Sequence, residues 1–110
     1  MSVKIVTLNC NGIRSSAKKG FYEWKIRENA DFVCLQEVKA QPEQLQDKLY
    51  HPDGFQCYFH SGLRKGYAGT AIYSRVKADI CQKGYDQQLS YTEGRYLRLD
   101  IGNITLISLY

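Results

Sequence analysis

The chain has 110 residues, of which 44% are hydrophobic and 24% are charged. These values are typical of one folded domain or part of one, and they exclude a disordered tail. No run of about 18 apolar residues occurs, which excludes a transmembrane helix, and residues 1–6 lack the pattern of a signal peptide. The net charge of +4 permits binding to a polyanion without establishing it.

The first half of the chain is predicted to alternate strands with helices. Residues 3–9 and 31–36 are apolar on both faces, which predicts two buried strands. Between them, Ser15 or Ser16 is expected to cap a helix that runs to about residue 29. That helix is expected to turn one apolar stripe inward, formed by Ala17, Phe21, Trp24 and Ile26. Pro42 then opens a short helix that continues through Leu45 and Leu49.

The second half is predicted to consist mainly of strands. A turn at residues 53–54 leads into strands at 55–60 and 69–75, which are separated by a polar loop at 61–68. Residues 83–93 are expected to form a long polar loop.

Two further strands are predicted at residues 96–101 and 104–110. Gly102 and Asn103 between them indicate a hairpin. The order β-α-β-α-β-β-β-β indicates an α/β fold whose later strands are largely antiparallel.

Cysteine usage predicts the redox state and the compartment. The chain has four cysteines, at Cys10, Cys34, Cys57 and Cys81. They lie far apart and form no C-x-x-C pair, whereas a zinc site needs clustered ligands. We therefore expect reduced thiols in a cytosolic protein.

Polar side chains stand at the ends of several predicted strands: Asn9, Asn11, Glu37 and Tyr110. Ligands gather at such positions in layered α/β folds. Glu37 directly follows a buried strand, and Mg²⁺ is usually held by one or two carboxylates together with water and substrate phosphate. The alternatives are that Glu37 is only the first solvated residue after a strand and that the asparagines belong to an ordinary turn.

Basic and aromatic side chains are candidates for a rim that binds phosphate: Arg14, Lys18, Lys19, Arg64, Lys65, Tyr67 and Arg95. The alternative is a solvated basic face. For Arg95, a loop salt bridge with Glu93 or Asp86 is the competing interpretation.

Five segments together resemble the exonuclease III / apurinic-apyrimidinic (AP) endonuclease family. Residues 7–14 (TLNCNGIR) are similar to its opening motif, and residues 34–40 (CLQEVKA) to its L-Q-E-x-K-A motif. Residues 65–71 (KGYAGTA) and 93–95 (EGR) are similar to K-G-Y-x-G-V and E-G-R. Residues 107–110 (ISLY) resemble the strand that leads into its catalytic tyrosine motif.

The resemblance implies half of a four-layered α/β sandwich like that of deoxyribonuclease I, with this chain supplying the first mixed sheet and its flanking helices. Residues 1–110 would be the N-terminal part of a single endonuclease/exonuclease/phosphatase domain, with the C-terminal part missing. Leu8 stands where the family commonly has Trp or Phe. The family's later Asp-x-Asn segment, its further Asp and its final Asp-His pair are absent from the chain.

The resemblance also implies roles for individual residues. Glu37 would be the principal metal ligand, with Asn11 close to the metal. Tyr110 and Asn9 would be catalytic. The DNA backbone would be contacted by Arg14, Lys19, Tyr67 and Arg95.

The implied activity is DNA repair. The complete protein would hydrolyse phosphodiester bonds 5′ to abasic sites and at DNA 3′ ends, with Mg²⁺, or alternatively Mn²⁺, as cofactor. Its partner would be double-stranded DNA carrying those features, with no membrane partner. We expect a monomer in the bacterial cytosol, and an inactive, poorly folded fragment if residues 1–110 are produced alone.

Two alternatives remain compatible with the sequence. One is another phosphodiesterase of the same superfamily, acting on lipid head groups, inositol phosphates or RNA tails. The other is a nonenzymatic DNA-binding module, in which the single sheet would leave an apolar face bare.

Overall fold

The computed structural model describes residues 2–110, and within that range it has seven strands, three α-helices and two 3₁₀ turns. The strands are β1 (Ile5–Asn9), β2 (Phe32–Gln36), β3 (Gln56–His60), β4 (Thr70–Ser74), β5 (Ile80–Lys83), β6 (Tyr96–Ile101) and β7 (Ile104–Leu109). The helices are α1 (Ile13–Lys18), α2 (Phe21–Glu28) and α3 (Gln88–Thr92), and the 3₁₀ turns are Pro42–Gln44 and Lys48–Tyr50. None of the helices in residues 2–110 is long and apolar enough to cross a membrane.

The strands form two separate sheets. The four-stranded sheet has the order β1-β2-β4-β3, in which β1 and β2 are parallel and β4 runs antiparallel to both of its neighbours. The three-stranded sheet has the order β5-β6-β7 and is antiparallel throughout. Because β1 and β2 are parallel and pair Asn9 with Gln36, the residues that follow both strands emerge at the same edge.

Two apolar clusters hold three layers together. One lies between the sheets and consists of Phe32, Cys34, Ile72, Leu97, Leu99 and Leu106. Alternate residues of a strand point to opposite faces, so Val33 and Leu35 of β2 face the other way and pack with Ile13 and Phe21 of the helices. The resulting order is helices, four-stranded sheet, three-stranded sheet, which confirms the predicted α/β fold.

The expectation of a single sheet with one bare face is wrong. The chain leaves the four-stranded sheet after Ser74, and its later strands form a second sheet that covers the face carrying Phe32 and Cys34. The alternation of Leu97 and Leu99 identifies a buried face, but it does not specify which sheet that face joins.

The predicted single helix is divided in two. Gly20 adopts a left-handed φ of 94° between α1 and α2, which changes the phase of the helix. Gly12, and neither serine, precedes α1. The predicted inward position of Ile26 is wrong, since this side chain is 75% exposed, whereas Phe21, Tyr22 and Lys25 are buried.

The other predicted elements have mixed outcomes. The turn at residues 53–54 and the hairpin at 102–103 are confirmed. The loop predicted at 83–93 is partly wrong, because it contains α3, and β5 was not predicted. The helix expected after Pro42 is two short 3₁₀ turns.

Lys25 is a buried cation held by aromatic rings. It is 3% exposed, and its Nζ lies 3.1 Å from the centroid of Phe55 and 5.3 Å from that of Tyr73. Burial lowers the pKa of Lys25 to about 8, and the charge of Arg75 adds to the effect. Below about pH 8 the amine is protonated in the folded state as well, so the folded state carries the full cost of burying this charge.

We predict that Lys25→Met raises the free energy of unfolding at pH 7 by about 1 kcal/mol, because the burial penalty exceeds the cation–π attraction. Between pH 8 and the ordinary lysine pKa of about 10.5, the unfolded state binds more protons than the folded state. Wild-type stability should therefore rise with pH relative to the variant. Urea denaturation of both proteins between pH 7 and 9 measures the difference, and a constant difference over this range would contradict the prediction.

Candidate active site

Three segments meet at one edge of the four-stranded sheet: two follow β1 and β2, and the third leads into β4. The backbone N–H groups of Gly12 and Ile13 donate to the carbonyl oxygens of Glu37 and Val38, at 2.7 and 3.0 Å. The N–H of Lys39 in turn donates to the Ala68 oxygen at 2.8 Å. These bonds extend the strand pairing beyond the sheet and fix the backbone from which the candidate residues project.

The backbone at this edge is unusual in its torsion angles. Asn11, Glu37, Lys39 and Ala68 have φ values of 47°, 56°, 55° and 56°. Residues with a Cβ atom rarely adopt a left-handed φ, and such residues cluster at functional sites when the surrounding structure enforces them. Here the bonds between the three segments enforce them, and the conformation at Glu37 directs its side chain out of the strand alternation.

Glu37 and Tyr110 form the centre of the candidate site. The Tyr110 hydroxyl donates to Glu37 Oε1 at 2.6 Å, which joins the end of β2 to the residue after β7. This hydrogen bond is the main reason that the pKa of the Glu37 carboxyl group is lowered, and the charge of Lys39 and a hydrogen bond from Asn9 contribute. The same bond raises the pKa of Tyr110. The site therefore holds an ionised carboxylate beside a protonated phenol.

The two asparagines are positioned by local hydrogen bonds. Asn9 Oδ1 accepts from the backbone N–H of Asn11 at 3.1 Å, which is the turn chemistry named as the alternative. The Asn11 side-chain oxygen accepts from Lys39 Nζ at 2.6 Å. Lys39 was not among the predicted site residues, although it lies in the segment that contains Glu37. Its ammonium group brings a positive charge to this edge.

Arg95 contacts two tyrosines and one glutamate near the candidate site. Its guanidinium carbon lies 4.7 Å from the Tyr110 ring centroid, and its Nη2 donates to the Tyr67 hydroxyl at 3.0 Å. Arg95 Nε also forms the predicted alternative contact, a salt bridge with Glu93. A contact between Arg95 and DNA stays a prediction.

Three of the remaining predicted cations lie in two separate places: Arg14, Lys18 and Lys19. Arg14 donates to the Lys39 carbonyl oxygen at 3.2 Å and lines a cavity of about 430 Å³ together with Asn11 and Lys18. Lys19 lines a different cavity, beside Trp24. Arg14 is therefore next to the candidate site, and Lys19 is not part of the same cavity.

Gly94 fixes the backbone before Arg95, the residue that precedes β6. Its φ is 58°, and a Cβ atom there would meet the His60 carbonyl oxygen and lie 2.8 Å from the Ser61 carbonyl carbon. We predict that Gly94→Ala lowers the free energy of unfolding by about 2–4 kcal/mol, through strain and overpacking. Gly102→Ala is the matched control, because Gly102 has a φ of 57° and open space around it. Thermal denaturation should show a loss of about 1 kcal/mol for this control, and equal losses for the two variants would contradict the packing argument.

The residues at the site fit part of a magnesium site. Within residues 2–110, no three His, Cys, Asp or Glu side chains are grouped as in a metal site built entirely from protein. Mg²⁺ does not need such a group, since one or two carboxylates with water and phosphate are sufficient. The ionised, solvent-facing carboxylate of Glu37 suits that role.

Comparison with known proteins agrees with this geometry. The model of the Endonuclease/Exonuclease/phosphatase family matches residues 6–109, nearly the whole chain. The chain belongs to the Endonuclease/Exonuclease/phosphatase family. The matched range includes every predicted site residue except Tyr110, which directly follows its last residue.

Individual relatives within the family are DNA nucleases. The chain is 30% identical to an exodeoxyribonuclease of Bacillus subtilis over 98% of its own length and 42% of that protein. It is 31% identical to a DNA-(apurinic or apyrimidinic site) endonuclease of Dictyostelium discoideum, over 98% of the chain and 30% of that protein. An AP endonuclease structure from Archaeoglobus fulgidus matches 99% of the chain with a TM-score of 0.84 and 31% identity, and the match covers 41% of that structure. The chain thus spans less than half the length of each relative.

Proposed function

We propose that the complete protein is a divalent-metal-dependent DNA-repair nuclease that hydrolyses phosphodiester bonds 5′ to abasic sites and at DNA 3′ ends. The observation that carries this proposal is the pairing of Glu37 with Tyr110 at 2.6 Å, at an edge lined with cationic and aromatic side chains. The similarity to an exodeoxyribonuclease and to AP endonucleases supports DNA as the substrate.

Glu37 would hold the metal ion, Mg²⁺ or alternatively Mn²⁺. When bound, the ion supplies Lewis acidity at a phosphoryl oxygen. Asn11 is the next oxygen ligand in the prediction, and its side-chain oxygen is oriented by Lys39.

Tyr110 provides a hydrogen-bond donor for the reacting phosphate. Its raised pKa keeps the hydroxyl protonated at neutral pH, so its hydrogen can turn from Glu37 to a phosphate oxygen on which negative charge develops. Arg95 lies against the Tyr110 ring and places a positive charge beside it. The side chain of Asn9 also favours the ionised form of Glu37.

Cations and aromatic rings around this centre would bind the DNA backbone. Arg14 lies beside the site, and the Tyr67 ring lies 5.3 Å from the guanidinium carbon of Arg64. Phosphate contacts of this kind supply affinity without reading sequence. An abasic nucleotide leaves the helical stack at a low free-energy cost because it has no base to unstack. We further propose a monomer that acts in the bacterial cytosol.

A substrate panel tests the proposed function. The full-length gene product is incubated with an abasic duplex, an intact duplex with a recessed 3′ end, and an inositol phosphate, each with Mg²⁺ or EDTA. We expect Mg²⁺-dependent incision 5′ to the abasic site and shortening of the 3′ end. Hydrolysis of the inositol phosphate alone would replace the proposal with another phosphodiesterase of the family. DNA binding without hydrolysis would favour the nonenzymatic alternative.

A further inference from the structure

Glu37 and Tyr110 follow strands of different sheets, so their contact depends on how the two sheets are aligned. Glu37 follows β2 of the four-stranded sheet, and Tyr110 follows β7 of the three-stranded sheet. Between the sheets lies an apolar cluster, and apolar packing is not directional. A hydrogen bond of 2.6 Å between the two sheets therefore needs directional contacts that fix their relative position.

A polar bridge lies next to this pair. The side chains of β2 that face the three-stranded sheet form a row of alternate residues: Phe32, Cys34 and Gln36. On β7, the corresponding row is Leu106 and then Ser108. Gln36 Nε2 donates to Ser108 Oγ at 3.1 Å, so each apolar row ends in one member of a polar pair. These residues precede Glu37 by one position and Tyr110 by two.

The bridge is fully hydrogen-bonded and spans three strands. The Ser108 side chain is 1% exposed, and its hydroxyl donates to the Leu35 carbonyl oxygen at 2.9 Å while it accepts from Gln36. Gln36 Nε2 also donates to Thr7 Oγ1 of β1 at 3.1 Å. A buried hydroxyl that lost these partners would be destabilised, so the bridge favours one alignment of β7 against β2.

We infer that Gln36 and Ser108 are positioning residues that hold the Tyr110 hydroxyl against Glu37. They act through the alignment of β2 and β7 and do not contact substrate. The inference concerns the activity of the site and in that respect rests on the proposed function.

The test is a double-mutant cycle in the full-length gene product, followed by incision of an abasic duplex. Ser108→Ala should lower kcat about tenfold and leave KM within about twofold, as expected for the loss of hydrogen bonds that orient a catalytic group. In the Ser108→Ala background, the factor by which Tyr110→Phe lowers kcat should be about fivefold smaller than in the wild-type background. Gln36→Met should reproduce the behaviour of Ser108→Ala.

Ser74→Ala is the matched control. Ser74 is also a fully buried serine whose hydroxyl donates to a backbone oxygen, but it pairs with Phe32 at the opposite end of β2. In the Ser74→Ala background, Tyr110→Phe should lower kcat by the same factor as in the wild-type background. If Tyr110→Phe has the same effect in the wild-type, Ser108→Ala and Ser74→Ala backgrounds, the inference is overturned.

A structural measurement separates this inference from the proposed function. If the wild-type protein shows no metal-dependent incision, the proposed function fails, and a crystal structure of Ser108→Ala then decides the inference. Separation of Tyr110 from Glu37 beyond hydrogen-bonding distance supports the inference. An intact hydrogen bond in that structure overturns it.

Discussion

Replacement of Glu37 by Gln should lower the rate of Mg²⁺-dependent incision by about a thousandfold, while the fold is retained. The variant removes the negative charge that would hold the metal ion, and metal ions supply several kcal/mol of transition-state stabilisation. The shape of the side chain is preserved, and Gln can still accept a hydrogen bond from Tyr110 through its amide oxygen. Single-turnover incision of an abasic duplex by the full-length gene product at saturating Mg²⁺ measures the effect.

Glu43→Gln is the control for Glu37→Gln. Glu43 is an exposed glutamate in the first 3₁₀ turn, so its substitution removes the same charge away from the site. Its incision rate should stay within about twofold of wild type. An unchanged rate in Glu37→Gln would show that the metal is held by another residue.

Replacement of Tyr110 by Phe is expected to have the second-largest effect, a loss of about a hundredfold in kcat. The variant removes one hydroxyl donor and keeps the ring, so the contact between the ring and Arg95 remains. Loss of a single donor to developing negative charge costs about a hundredfold or more in enzymes that depend on it. KM should change little, because the phosphate contacts of the rim are unaffected.

Replacement of Tyr110 by Phe should also change the pKa of Glu37. The pKa of this carboxyl group is lowered chiefly by the bond from Tyr110, so the variant should move the pKa of Glu37 back towards its ordinary value. Carboxyl-carbon NMR of the metal-free protein follows this titration. Tyr85→Phe, at an exposed tyrosine of the loop before α3, should leave both the pKa of Glu37 and kcat unchanged. An unshifted pKa of Glu37 in Tyr110→Phe would contradict the role assigned to the hydrogen bond.

The sequence predicts the parts of the site that lie at strand ends. Strand patterns before Asn9 and Glu37 are strong, so local pattern places both residues at strand ends. The parallel pairing of β1 with β2 in the structure then brings these ends to one edge. The contact between Glu37 and Tyr110 does not follow in the same way. It depends on a second sheet that packs across the first, and alternation in β6 and β7 shows that one face is buried without showing what buries it.

Residues that act through tertiary contacts were also not predicted. Lys39 is an ordinary lysine in the sequence, and its role appears only when its ammonium group is seen to contact Asn11. Similarly, Ser108 reads as a polar interruption of an apolar strand until Gln36 is found opposite it. The division between α1 and α2 depends on the left-handed backbone at Gly20, and a glycine within a helical pattern is compatible with either a continuous or a broken helix.

The most direct test of the proposed metal centre is the position of a bound ion. Crystals of the full-length gene product soaked in Mn²⁺ would be measured near the manganese absorption edge, where an anomalous difference map locates the ion. We predict a peak beside the carboxylate of Glu37 that is absent from Glu37→Gln crystals. A peak at another carboxylate, with the bond between Tyr110 and Glu37 intact, would contradict the assignment of Glu37 as the metal ligand.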